Sequence, residues 1–276
     1  MNAIARFREL HASGCFVLPN PWDAGSAVML HHLGFQAIAS TSAGFAFSQG
    51  LPDVATVVPR DLMLGHLTDL VQATPLPVNA DFQNGYADDP EGVAANVTRC
   101  IATGVAGLSI EDNSGSLDVP LYEETLAVER IRAARAAIDA SGTRVVLTAR
   151  CEAALVGHPD PQRVILDRLV AFAEAGADCL YAPGLHTVAE IAEVVRAVAP
   201  LPVNVLAGEN GPTRTVAELA DLGVRRVSLG SALSRAAWGG LLRAARSIAD
   251  DGSFEGLAGS APFAELDGIF AHHSGQ

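Results

Sequence analysis

Apolar and polar positions along this chain follow two periods. Short apolar runs with β-branched residues recur at 15–18 (CFVL), 36–40 (QAIAS), 77–81 (PVNAD), 107–111 (GLSIE), 145–149 (VVLTA), 179–182 (CLYA), 202–206 (PVNVL) and 225–229 (RRVSL). Their length is that of buried strands. Between them, segments near 23–33, 60–73, 90–103, 124–140, 161–175, 187–198, 213–222 and 231–249 carry apolar residues at helical spacing. Glycine-bearing stops such as AGAD, TGVAG and DLGV lead from a helix into the next strand. Strands alternating with helices predict parallel βαβ units, and eight of them predict an α/β fold of the (β/α)8 TIM-barrel type. An additional helix at 2–12 precedes the first strand. Residues 251–276 form a glycine-rich extension with some helical character, so 1–276 reads as a single barrel domain with its core at about 14–250.

Composition narrows the function. The length of 276 residues suits one barrel. An apolar content of 49% with a mean hydropathy of +0.26 suggests that some surface is buried between subunits, in a homo-oligomer. A net charge of −13 argues against nucleic acid and anionic membranes as partners. No apolar run approaches the ~18 residues of a membrane span, and MNAIARFREL reads as an amphipathic helix rather than a signal peptide. Four cysteines without a CxxC pair suggest reduced thiols and a cytoplasmic location. All 18 basic residues are arginine. Without lysine there is no Schiff-base aldolase chemistry, no lysine-anchored pyridoxal phosphate and no P-loop. Carbanion chemistry in such a barrel calls for a divalent metal instead.

The active site of this fold lies where the strands end. The first strand is followed by Pro19-Asn20-Pro21-Trp22-Asp23, and the second by Thr41-Ser42-Ala43-Gly44-Phe45 and then Gly50-Leu51-Pro52-Asp53. The third runs into Asn79-Ala80-Asp81-Phe82-Gln83-Asn84-Gly85-Tyr86, the fourth into Ser109-Ile110-Glu111-Asp112, and the fifth into Thr148-Ala149-Arg150-Cys151-Glu152. Carboxylates crowded at one rim repel each other, and a hard cation relieves that repulsion. Arg150 suits bidentate capture of a carboxylate, or a structural pairing with Glu152 or Asp112. Asp23 is either a pocket residue or a helix cap. Ser42-Ala43-Gly44 reads either as no more than a tight connection or as a turn whose small residues let backbone amides approach an anion, as in a nest. Asn204, on the seventh strand, is a further candidate for substrate binding.

The ordered set PNPWDAGSA, TSAGF…GLPD, NADFQNGY, SIED and TARCEA resembles the isocitrate lyase/phosphoenolpyruvate mutase superfamily from about residue 4 to 245. The resemblance implies a Mg2+-dependent barrel, with Mn2+ as a possible substitute, acting on 2-oxo acids or their enols. It also implies a tetramer or dimer in which the last helix is exchanged between subunits. Asp53, Asp81 and Glu111 then match the metal-site acids, some of them acting through water. Ser42, Ala43, Gly44 and Arg150 match the substrate-binding groups, and Trp22 and Asp23 match a pocket-lining segment. The resemblance further implies catalytic roles for Arg150, Asp53 and Glu111.

Two departures matter. Gln83 replaces the second acid of the metal motif, and 113–120 (NSGSLDVP) has neither the lysine nor the cysteine of the lyases' gating loop. Methylisocitrate-type cleavage therefore lacks its proton donor, whereas decarboxylation of an oxaloacetate-type acid demands less. C–P mutase or hydrolase chemistry, a non-catalytic 2-oxo-acid (2-oxoglutarate-like) binding protein, and a phosphate-gripping isomerase using Gly208–Gly211 and Gly230-Ser231 are the rivals.

Overall fold

The computed structural model describes residues 2–54, 57–208 and 215–274. Eight parallel strands are β1 (Phe16–Leu18), β2 (Ile38–Ala39), β3 (Val78–Asp81), β4 (Gly107–Glu111), β5 (Val146–Arg150), β6 (Cys179–Tyr181), β7 (Val203–Leu206) and β8 (Arg226–Ser228). They pair in the order β1-β8-β7-β6-β5-β4-β3-β2. The seam between β1 and β2 is drawn together by the Ala39 amide donating to the Pro19 carbonyl at 3.0 Å and by Asn20 Nδ2 donating to the Ser40 carbonyl at 2.8 Å. The ring of strands and its jacket of helices make the expected (β/α)8 barrel.

The helices are α1 (Ala3–Ala12), α2 (Ala24–His32), α3 (Ser42–Ser48), α4 (Arg60–Ala73), α5 (Pro90–Ala102), α6 (Glu124–Ser141), α7 (Pro161–Glu174), α8 (Val188–Ala197), α9 (Val216–Asp221), α10 (Ala232–Asp251) and α11 (Phe263–Ser274), with a short 3-10 turn at Glu255–Leu257. The predicted strands and helices fall on these elements. The expected turn at Ser42–Gly44 is instead the first turn of α3, because Thr41 caps it: its side chain accepts from the Gly44 amide at 3.1 Å. Propensity alone, in a segment rich in serine and glycine, did not announce a helix. The tail is more ordered than its composition suggests, since α11 returns to α2, where Ile269 is buried and the Phe270 ring approaches Gly25. Within one chain, α11 thus covers its own α2. The exchange between subunits remains an expectation of the resemblance.

The main core lies between strands and helices. A second cluster, Phe7, Phe16, Leu18, Ala37, Ala39, Ala106 and Val146, fills the lower end of the barrel. Phe7 comes from α1, so α1 is the floor. A Cβ on Gly107 would lie 2.5 Å from Phe7 and 2.6 Å from Asn79, so only glycine admits the ring there. At the opposite extreme is α10. Ser234 is its buried residue, while Trp238, Leu241, Leu242 and Ile248 face outward.

Behind α3, the Phe45 ring stacks on buried His66 of α4 at 3.9 Å. Burial lowers the His66 pKa to about 4, against the pull of Asp69 and Asp23. A depressed histidine contributes stability above the unfolded value of 6.5 that is lost as pH falls towards 4. His66→Gln is therefore expected to flatten the loss of stability between these limits by about one proton, or ~1.4 kcal/mol per pH unit. Denaturant titrations at stepped pH measure that slope directly.

Candidate active site at the strand ends

Asp81, Glu111 and Arg150 are the final residues of β3, β4 and β5, so the barrel itself gathers them at one rim. Strand register places Glu111 beside Arg150, Arg150 beside Tyr181 of β6, and Tyr181 beside Asn204 of β7. Arg150 is the hub. Its Nη1 lies 3.2 Å from Glu111 Oε2 and 3.6 Å from Asp81 Oδ1. Its other edge meets Glu152 twice, through Nε to Oε1 and through Nη2 to Oε2 at 3.1 Å. Its guanidinium carbon stands 5.3 Å from the centre of the Tyr181 ring. The structural pairing with Glu152 is thus real, and it leaves the Nη1 edge turned to the cavity acids.

The carboxylates are held firmly. Asp81 Oδ2 accepts from the Ser42 amide at 2.8 Å, and the Asp81 amide donates to Ser40 Oγ at 2.8 Å. The segment after β3 is stapled by buried Arg130 of α6, which donates to the carbonyls of Asn84 and Ala87, and by Asn96 of α5, which donates to those of Gly85 and Tyr86. Gln83, buried with φ +46°, accepts the Glu111 amide on its carbonyl at 3.0 Å and so ties β3 to β4. Behind the rim, Asp112 accepts from the Glu152 amide at 2.8 Å and from Arg168 Nη1 at 2.8 Å, and Arg168 Nη2 donates to the Tyr122 carbonyl at 2.7 Å.

Charge is unbalanced. Asp53, Asp81, Glu111 and Glu152 share one guanidinium. Burial raises the Glu111 pKa well above the carboxylate range, Arg150 opposes that, and Glu152, Asp81 and Asp112 add to it. Glu152 is also raised by burial, against Arg150. Asp53 lies on the loop after α3; partial burial raises its pKa, Asp81 adds repulsion and Arg150 opposes both. Arg150 resists its own burial because Glu152 and Glu111 hold it charged.

Beneath this rim is a cavity of about 50 Å3, bounded by Asn20, Ser40, Asn79, Asp81, Ser109, Arg150, Tyr181, Asn204, Arg226 and Ser228, among others. Asn204 shares this wall with Asp81 and Arg150. Trp22 and Asp23 are not on that wall. They line two outer cavities by α2, and Asp23 caps α2 through a reciprocal box with Ser26, at 2.6 Å from its amide. Of the three amides in the proposed nest, that of Ser42 is taken by Asp81 and that of Gly44 by Thr41. Of the phosphate loop, Glu209, Asn210 and Gly211 lie outside the described residues. Asn20 was read at its strand end without a role, and Ser40, Tyr181, Arg226 and Ser228 were missed; applying the strand-end rule to the sixth and eighth strands as well would have found Tyr181 and Ser228.

The fit of a divalent cation follows from the donors. Among the described residues, no three acidic, histidine or cysteine side chains converge to encage a bare ion. Asp53, Asp81 and Glu111 nevertheless share the one Arg150 guanidinium to offset their charge, and their oxygens are hard donors. Mg2+ keeps several waters when bound. The site fits such a hydrated ion, with few direct carboxylate ligands and the remaining acids reached through water.

A parallel barrel whose strand ends converge on carboxylates and one arginine has the build of an enzyme for small anionic substrates. The family model for phosphoenolpyruvate phosphomutase matches residues 7–249. The chain belongs to the phosphoenolpyruvate mutase/isocitrate lyase superfamily. It is similar to a crystal structure of a protein described as a lyase or mutase from Burkholderia cenocepacia J2315, with 47% identity, a TM-score of 0.93 and coverage of 98% of this chain and 95% of that one. Oxaloacetate acetylhydrolase, solved with its product oxalate, is 26% identical at a TM-score of 0.88 over 99% of this chain and 96% of its own. 2-Methylisocitrate lyase of Halalkalibacterium halodurans is 27% identical over 91% of this chain and 83% of its own. Among the described residues, no helix is long and apolar enough to cross a membrane.

Proposed function

We propose that this protein is a Mg2+-dependent carbon–carbon lyase acting on a small 2-oxo carboxylate through an enolate, with decarboxylation of an oxaloacetate-type acid as its reaction. The observation that carries the reading is the set of three carboxylates, Asp81, Glu111 and Glu152, paired with Arg150 at the strand ends, with Asp53 within electrostatic reach on the loop after α3. That set repels an anionic substrate unless a dication is present. Asp81 would hold the metal, with Glu111, Asp53 and Gln83 reaching it through water. Bound there, Mg2+ supplies Lewis acidity at the 2-oxo group, worth several kcal/mol.

The chain's own residues do the rest. Glu152 fixes one edge of Arg150, leaving Nη1 to orient a substrate carboxylate and favour cleavage of one bond. The Ser42 amide fixes Asp81 Oδ2 and leaves Oδ1 facing the cavity. Loop 113–121 closes on itself through an Asn113–Leu121 bridge and a Ser114 amide to Pro120 carbonyl bond of 2.9 Å, with Leu117 fully exposed at its tip. It brings no acid to the site, which favours decarboxylation over cleavages that need a loop donor. The outward apolar face of α10 supports a homo-oligomer.

The test is calorimetric titration with oxalate, an enolate mimic, followed by a screen of 2-oxo acids for pyruvate and CO2. Oxalate should bind with Mg2+ or Mn2+ and not in EDTA. Metal-independent binding overturns the reading, and metal-dependent binding without turnover marks a binding protein instead. Arg150→Gln is expected to weaken oxalate about 10- to 100-fold, as for the loss of charged hydrogen bonds of about 1.5–3 kcal/mol.

A further inference from the structure

The reaction leaves one role unfilled. An enolate must receive a proton at carbon to become pyruvate, and no residue of loop 113–121 lines the cavity. Among the described residues, no histidine, cysteine or lysine lines the cavity below the rim. Its one carboxylate is that of Asp81, which the lyase reading already assigns to the metal. One protonated acid does face this space: Tyr181, the last residue of β6, buried at 8% exposure between Arg150 and Asn204 in the strand register.

We propose that Tyr181 is the general acid of this site, its hydroxyl delivering the proton to the enolate carbon. The inference rests on the lyase reading above. In the step, the electron pair of the breaking C3–C4 bond moves to C2–C3 as CO2 leaves, and the C2 oxygen takes up the charge. Carbon C3 then bonds the phenolic proton while the C2 oxygen re-forms its carbonyl. Tyrosine is left as phenolate, and water entering the cavity returns a proton to it. The cavity of about 50 Å3 has room for about three waters.

Three features of the structure fit this role. The guanidinium of Arg150, 5.3 Å from the ring centre, is a fixed cation beside the phenolate that the step creates. The hydroxyl is supported from behind. Ser228 faces it, Asn204 Nδ2 donates to Ser228 Oγ at 2.9 Å, and Arg226 Nε donates to Asn204 Oδ1 at 2.8 Å. Buried Arg226 sets the amide's orientation, and its Nη1 is 3.3 Å from His11 Nε2 on the barrel floor. His11 is neutral: burial and then Arg226 lower its pKa to about 3, and its Nδ1 donates to the Phe7 carbonyl at 2.7 Å. Burial also raises the Tyr181 pKa to about 12, so the phenol keeps its proton until an enolate asks for it.

The experiment compares wild type with Tyr181→Phe, both Mg2+-loaded, on oxaloacetate or whichever 2-oxo acid the screen identifies. CO2 and pyruvate are followed together. Wild type should release both at once. In Tyr181→Phe, kcat should fall about 10²- to 10³-fold, pyruvate should lag behind CO2 as free enol ketonises in solution, and oxalate Kd should stay within about twofold. Retained oxalate binding shows the variant to be folded. Ser228→Ala, which removes the support but leaves the phenol, should show a smaller lag in the same direction. Synchronous products at unchanged kcat in Tyr181→Phe overturn the assignment and leave the lyase reading standing. A wild-type protein inert towards every 2-oxo acid overturns both.

Discussion

Replacing Asp81 by alanine should abolish Mg2+ binding and, with it, oxalate binding and turnover. Asp81 has one oxygen fixed by the Ser42 amide and the other turned to the cavity, 3.6 Å from Arg150. No other rim acid is so placed: Glu111 is engaged by Arg150 at 3.2 Å, and Asp53 stands on the exposed loop above. Loss of a group that merely supports a metal ligand costs 10–100-fold in affinity, so loss of the ligand itself should exceed about 100-fold. Calorimetry with Mg2+ alone measures it. Full Mg2+ affinity in Asp81→Ala would sink the metal assignment. The fold should tolerate the change, because removing one of four crowded carboxylates relieves repulsion.

The largest effect on stability is expected behind the rim. Arg168→Met leaves Asp112 buried without its partner; the two side chains are 9% and 1% exposed. Stranding one charge of a buried pair costs about 3–5 kcal/mol, far more than the pair contributes over an apolar substitute. Urea denaturation should show that loss as a lower midpoint at unchanged slope. Adding Asp112→Asn should recover part of it, since an amide needs no counter-charge and its oxygen still accepts the Glu152 amide. A shift of only a few tenths of a kcal/mol in the single variant contradicts the pairing as described.

Much of this was legible along the chain. Strand positions follow from short apolar runs between glycine stops, and each of Asp81, Glu111 and Arg150 terminates a run, which in this topology dictates convergence. What escaped depends on side-chain pairing, which has no period. Whether Arg150 faces a ligand or Glu152 is decided by rotamers, and the structure shows it engaging Glu152 on one edge and the cavity on the other. Asp23 carries the same letter as a pocket residue or a cap; the serine three places on, returning the bond, makes it a cap. α3 forms where small residues read as a turn, because Thr41 supplies a cap. Tyr181 sits in an apolar run as one more aromatic, and only the register beside Arg150 gives its hydroxyl a task.

The floor of this barrel is not made by the barrel. Phe7 and His11, both on α1, stop the lower end, and His11 is where the line through Arg226, Asn204 and Ser228 begins. A truncated chain starting at β1 would keep all eight strands and still be an open pipe. Solvent would enter from underneath, Arg226 would be hydrated rather than aimed, and the reaction chamber would lose its cup shape without a single rim residue having changed.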